Sequence, residues 1–237
     1  MPAKLYVVPA SHPCATVIGA LDIKRVPYTT VEWVPAFHKV AQKALFGEMT
    51  VPGIVFENGH KVHGSRAILR HLEALVPDPP LYGDAAIADA EAWGNDVLQP
   101  LVRRLLWWAL SEDPQAQLTY IADAKLRPPT PLALAKLTGA PLGWMQKRFN
   151  ESTPGTVRAD LAALPGHLDR IEAWIADGTL GGEPVNAADL QIAPSLRLLL
   201  TLDDLVPVID GRPAGDFARK VFPRYPGHVA AGALPQI

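Results

Sequence analysis

Cysteine is nearly absent from this chain: Cys14 is the only one in 237 residues. A lone thiol excludes an internal disulfide framework, a cysteine-based metal cluster and a two-cysteine redox cycle within one chain. It suits a reducing compartment, and a cytoplasmic location is expected. An excess of charge is also lacking. The net charge is -2, which gives no reason to expect nucleic acid or an anionic membrane surface as partner. Long apolar runs are missing as well. Residues 105–110 and 196–202 are the kind of stretch present, far below the ~20 residues that span a bilayer, so no membrane association is expected. The opening Met1-Pro2-Ala3-Lys4 shows no charged segment leading into an apolar one, so no secretory leader is expected. Among the histidines only His60 and His63 share a close spacing. They flank a short strand pattern and would point apart or outward, so no metal is expected.

Prolines, in contrast, are abundant: 24, scattered rather than clustered. They punctuate elements instead of marking a disordered tract. Up to about residue 80 the pattern alternates in type. Strands are expected over 4–8, 28–33, 53–56 and 60–63, and helices over 14–24, 37–46 and 65–76. Asn58-Gly59 between the last two strands is a hairpin signal, because both residues tolerate positive φ. The order β-α-β-α-β-β-α fits a small mixed sheet with helices on both faces. From residue 84 strand signals almost vanish. Helices are expected over 84–111, 113–125, 132–137, 143–149, 156–177, 187–202 and, as a short last one, 217–221. Residues 202–213 and the C-terminal tail read as coil. Pro77-Asp78-Pro79-Pro80 cannot continue a helix and stiffens the connection. The expected division is thus 1–77 (α/β), a linker over 78–83, and 84–237 (all-α).

Three local signals carry chemistry. Tyr6-Val7-Val8-Pro9-Ala10-Ser11-His12-Pro13-Cys14 places a serine hydroxyl at a strand-to-helix turn, at the positive end of a helix, where a thiol or another anion is polarised. The plain alternative is that Ser11 only caps the helix. Val51-Pro52 puts a proline directly before a strand. A cis bond there would bare the backbone of Val51 for pairing with an extended peptide, whereas a trans proline at a strand start is the simpler alternative. Gly64-Ser65-Arg66-Ala67-Ile68 opens a helix whose first-turn amides and Ser65 hydroxyl could bind a carboxylate; the alternative is a capped helix with a solvated arginine. All three fall at one edge of the expected sheet, and together they suit an extended, anionic, peptide-like ligand with a thiol.

Taken with Asn186-Ala187-Ala188-Asp189, a capping box after Gly181-Gly182-Glu183-Pro184, these motifs resemble the soluble glutathione transferases, over nearly the whole chain. The Ser11–Cys14 turn looks like the serine turn of the Delta and Theta-like classes. The resemblance implies a thioredoxin-like N-terminal domain, an all-helical C-terminal domain and a homodimer. It implies glutathione as co-substrate, with Ser11 as the catalytic residue donating to the sulfur, Val51 and Pro52 holding the cysteinyl backbone, and Ser65 and Arg66 at the γ-glutamyl end. A small hydrophobic electrophile would lie near His12, Trp107 and Trp108, the tryptophans standing with Arg103 and Arg104 late in the first long helix, with Trp144 and Met145 as further candidates, and the implied role is detoxification; the plain alternative is that one tryptophan packs in the core and the other in the interface. Two positions depart from the pattern: Gly64 stands where the family often has an acidic or amide residue, and Met49 where a polar one is common. A thiol-dependent reductase or peroxidase on the same scaffold, or a non-catalytic binding protein, are the alternatives. Cys14, three positions after Ser11, is expected to pack rather than react.

Overall fold

The computed structural model describes residues 2–35 and 37–235; residue 1 and residues 236–237, the outer ends of the two expected domains, lie outside it. The first part follows β1 (Ala3–Val7), α1 (His12–Ile23), β2 (Tyr28–Trp33), α2 (Phe37–Phe46), β3 (Gly53–Val55), β4 (Lys61–His63) and α3 (Ser65–Leu75). β1 pairs in parallel with β2 and antiparallel with β3, and β4 closes the hairpin on β3. Strand alternation sorts the faces. Ala3, Leu5 and Val7 are buried with Val17 and Leu21 of α1 and with Ile68, Leu69 and Leu72 of α3. Tyr6 points the other way, stacked on Trp33 at 5.8 Å and edge-on to Phe46 at 5.7 Å. That face is covered by α2. A Cβ on Gly53 would stand 2.5 Å from the Phe46 ring, so the strand approaches the helix only because position 53 lacks a side chain.

The rest is mostly helical: α4 (Ala85–Trp93), α5 (Gln99–Glu112), β5 (Leu126–Arg127), α6 (Leu132–Phe149), α7 (Pro154–Ala176), α8 (Ala187–Leu199), α9 (Val206–Ile209) and α10 (Pro213–Val221). Helices α4 and α5 form one rod through a π-helical turn, Gly94–Leu98. The expected helix over 113–125 is only a 3-10 segment, Pro114–Tyr120, started by Asp113 accepting from the amides of Gln115 and Ala116. The two expected helices at 132–137 and 143–149 are one, because the helix runs through Pro141. The short α9 lies inside the expected coil at 202–213. After residue 84, where strand signals almost vanish, one short strand is present among the described residues: β5 pairs in parallel with β2 and completes the sheet order β4-β3-β1-β2-β5. Two residues are too short a run to leave a period.

Between α3 and α4 the chain has neither helix nor strand and is pinned by an ion pair between a buried lysine and a half-buried glutamate. Lys24 Nζ donates to Glu73 at 2.6 Å and to the carbonyls of Pro77 and Pro79, while Glu73 accepts from the amides of Leu81 and Tyr82. A fully buried carboxylate, Glu91 of α4, accepts from Arg66, Arg70 and Tyr82. The halves meet along α1 and α8. Thr16 donates its hydroxyl to the Leu190 carbonyl at 2.8 Å, and an added Cβ at Gly19 would lie 2.7 Å from Leu190 Cδ2. Helix α8 itself starts at a capping box: Asn186 accepts from the amides of Ala188 and Asp189, and Asp189 accepts from the Asn186 amide.

Overpacking the α1–α8 seam is therefore costly. Gly19→Val is expected to destabilise the protein by about 1–3 kcal/mol, measured as a fall in the urea midpoint at unchanged m-value; a midpoint equal to wild type contradicts the tight seam.

Candidate active site

A cleft opens between the sheet domain and the helical part, with two continuous lobes. One is polar, about 430 Å³, bounded by Gly64, Ser65, Asn95, Gln99 and Arg104. The other is mainly apolar, about 150 Å³, bounded by Ser11, His12, Leu106, Trp107, Tyr120 and Leu142. Pro13, Thr50, Val51, Arg103, Phe149 and Asn150 border both.

Ser11 is the N-cap of α1, but its hydroxyl makes no capping bond, which leaves the cap reading unsupported. It is half-buried on the wall of the apolar lobe, with the Cys14 thiol as neighbour. Burial pushes that thiol up to about 11, against the smaller opposing pull of Ser11 and the Val8 backbone. Cys14 is thus a buried packing group, 2% exposed. The turn before Ser11 has a non-glycine residue at positive φ, Ala10 at 57°. The Tyr225 hydroxyl donates to the Ala10 carbonyl at 2.9 Å, so the C-terminal tail, expected to be coil, braces the serine loop.

The Val51-Pro52 bond is cis. Among the described residues neither the N–H nor the C=O of Val51 has a partner, while the Pro52 carbonyl accepts from the Gly64 amide at 2.9 Å. Ser65 is 4% exposed on the floor of the polar lobe, within 3.4 Å of Gln191 Nε2. Gly64 sits at φ +88° with open space around its Cβ position. Glycine takes that backbone without strain, at the loss of a polar side chain. Met49 is 45% exposed at the edge of the apolar lobe.

His12 is fully enclosed. His12 Nδ1 shares a hydrogen bond with Ser195 Oγ at 2.9 Å, the Ser195 hydroxyl also lies 3.3 Å from the Gln191 carbonyl, and His12 Nε2 is without a partner among the described residues. Burial, and then the charge of Arg103, hold the imidazole well below its ordinary value.

Helix α5 decides which tryptophan reaches the cleft. Gln99, Arg103, Leu106, Trp107 and Leu110 follow helical spacing on one face and all line it. Trp108 is turned about 100° away, and the Lys147 ammonium lies over its ring at 3.6 Å. The same logic on α6 selects Leu142, Gln146 and Phe149. Trp144 and Met145 stand off that face and line neither lobe. Arg66 does not line either lobe: its Nε donates to Glu91 at 3.0 Å, so its side chain joins the halves instead. The structure therefore brings together Ser11, His12, Val51, Ser65 and Trp107, and sets Arg66 and Trp108 aside. From the sequence, Lys39, Tyr120, Gln146 and Phe149 are not marked as site residues, and Arg103 only as a companion of the two tryptophans. The periodicity of α5 and α6 carried that information for all but Lys39 and Tyr120.

Comparison with known proteins bears on the fold. Residues 5–80 match the family model for the glutathione S-transferase N-terminal domain. Comparison with curated proteins gives no match. Among solved structures, a glutathione S-transferase from Rhodospirillum rubrum F11 is 22% identical with a TM-score of 0.64, over 94% of this chain and 88% of its own. The β-etherase LigF from Sphingobium sp. strain SYK-6 is 15% identical at 0.62, over 93% and 99%. A bacterial maleyl pyruvate isomerase, a glutathione S-transferase of the Zeta class, is 19% identical at 0.58, over 92% and 90%. The fold is theirs: a thioredoxin-like sheet domain followed by a largely helical part.

The buried histidines make stability pH-dependent. Burial and Lys39 lower His38 to about 4, and His12 is lowered likewise. The unfolded chain takes up these protons below about pH 6.5 while the folded one does not, so stability is lost as pH falls from 6.5 toward 4. The slope is expected to reach about 1.4 kcal/mol per pH unit for each group. Urea midpoints from pH 7 to 4.5 should decline, and His38→Gln should flatten the decline. Parallel slopes for the two proteins would contradict it.

Proposed function

We propose that this chain is a glutathione transferase-like enzyme of the serine type, in which Ser11 stabilises the thiolate of glutathione for attack on an electrophilic carbon. The observation that carries the reading is the convergence of three features on one cleft. A hydroxyl with no capping bond stands at the N-terminus of α1, an unpartnered Val51 backbone runs beside it, and Ser65 opens α3 in the polar lobe. Ser11 donates to the sulfur, and a hydrogen bond to the charged form favours it. The first-turn amides of α1 add their partial positive charge. Together they lower the thiol pKa, and the thiolate is the nucleophile. Val51 pairs with the cysteinyl backbone as a short added strand. Ser65 and the amides around it take the γ-glutamyl carboxylate. Pro52 shapes that edge, and Arg66 acts at a distance by holding α3 against α4. The apolar lobe receives the second substrate on Trp107, with Phe149 and Leu106 around it.

The buried, high-pKa Cys14 speaks against a disulfide-exchange reductase, since a thiol needs to ionise and be reached to take part. The reaction at carbon is left open by the neighbours, whose names include an etherase and an isomerase. Gly64 and Met49 favour weaker glutathione binding, because each removes a polar anchor worth about 1 kcal/mol. The homodimer, the cytoplasmic location, the detoxifying role and the division of the chain at residues 78–83 belong to the same reading and follow the resemblance.

Ser11→Ala, assayed with glutathione and 1-chloro-2,4-dinitrobenzene, is expected to lower kcat by about 10²-fold, the scale of losing one oriented donor, and to raise the pKa of the bound thiol. Unchanged turnover with an unchanged thiolate absorbance titration removes Ser11 from the mechanism.

A further inference from the structure

The charges of the apolar lobe are one-sided. Two cations line it, Lys39 and Arg103, and no aspartate or glutamate does. Lys39 is partly satisfied, with its ammonium 3.3 Å from the centre of the Phe149 ring. Arg103 is not. It is partly buried, borders both lobes, and has neither a hydrogen bond nor an ion pair among the described residues. Its sequence neighbour shows the usual arrangement: Arg104 is held in a two-pronged bond to Asp160, at 2.6 and 2.7 Å. Burial, and then the charge of Arg104, depress the Arg103 guanidinium from its ordinary value. The imidazole of His12 supplies no negative charge and is itself held down by Arg103. Glu151 lines the polar lobe that Arg103 also borders but forms no ion pair with it, and a partly buried cation without a bonded counter-charge is an arrangement that an incoming anion relieves.

Position narrows which anion. Arg103 lies on α5, the wall built by the helical part, where the two lobes join. The features assigned to glutathione, Val51 and Ser65, lie on the sheet domain. Leu106, Trp107 and Leu110 follow Arg103 along the same face of α5. A molecule with an aromatic body against Trp107 and a carboxylate at one end matches this row, because the planar guanidinium fork pairs with a carboxylate in two parallel bonds. We propose that Arg103 reads a carboxylate on the second substrate, so that the enzyme's electrophiles are amphipathic aromatic acids rather than neutral hydrophobes. The proposal rests on assigning the polar lobe to glutathione, and its test does not depend on turnover.

Two ligands without a leaving group separate the charge from the ring: 3,5-dinitrobenzoate and 1,3-dinitrobenzene. Binding of each to the full-length protein is measured by calorimetry and tryptophan quenching, with and without glutathione, for wild type, R103Q and R103K. The wild type should prefer the benzoate by about tenfold, the ratio expected of one charge-assisted contact in a partly wet site. R103Q should abolish the preference, and R103K should keep its sign at reduced size. Equal binding of the two ligands to wild type overturns the proposal, and so does a preference that persists in R103Q. If R103Q fails to fold, R103K decides, since an undiminished preference there overturns it. Weakened glutathione binding in R103Q with the benzoate preference intact gives Arg103 to the thiol's own carboxylate and also overturns it. If glutathione does not bind at all and the Arg103-dependent preference is present, the thiol reading fails and this one stands.

Discussion

The contact between α1 and α8 is the constraint on which the rest of this protein depends. It is close because Gly19 presents no side chain to Leu190, and it is fixed in register because Thr16 donates to the Leu190 carbonyl. From that seam α8 reaches the cleft in both directions. Ser195 orients His12, and Gln191 spans from Ser65 to Asn95. The start of α8 is equally determined. Burial pushes the Asp189 carboxyl up, while the amides of Asn186 and Gly181 pull it down, and the same two bonds tie the preceding loop to the helix. A single helix of the second half therefore sets the spacing between the hydroxyl of residue 11 and the floor of the polar lobe.

Charge is handled differently inside and at the cleft. Away from it, two buried ionic groups are saturated: Glu91 accepts from three donors and Lys24 donates to three acceptors. Such groups are costly when one partner is missing, which explains why the connection between α3 and α4 is held so firmly. In the cleft the pattern reverses. Among the described residues Val51's backbone and the buried His12 Nε2 lack partners, and the partly buried Arg103 guanidinium has no protein hydrogen bond or ion pair. Unsatisfied groups gathered in one concavity mark a place where a ligand completes the bonding.

Much of the architecture was legible in the sequence, because its elements carry strong periods. The alternation of Ala3, Leu5 and Val7, the hairpin at Asn58-Gly59 and the Asn186 capping box each state a local preference that the tertiary structure keeps. What escaped was decided by distant partners. The pair Leu126-Arg127 has no period of its own and is a strand only because β2 offers an edge. Pro141 reads as a break, yet α6 continues because its two halves pack on the same neighbours. Arg66 sits at the expected helix start, but a carboxylate 25 positions away captures its side chain. For the site, residue type was readable and direction was not: adjacent tryptophans differ only in which face of α5 carries them, and Arg103 looks no different from Arg104 until Asp160 is found beside the second.

The small strand β5 has a mechanical side. Between α5 and α6 the chain leaves the helical part, hydrogen-bonds along β2 through Leu126 and Arg127, and lets Glu32 accept from the Lys125 amide. It then returns to build the wall carrying Leu142, Gln146 and Phe149, and Lys39 of α2 meets that wall again through the Phe149 ring. The two halves are thus riveted on both flanks of the groove rather than joined by one hinge. Prying them apart would require peeling a strand from the sheet margin as well as parting the α1–α8 seam.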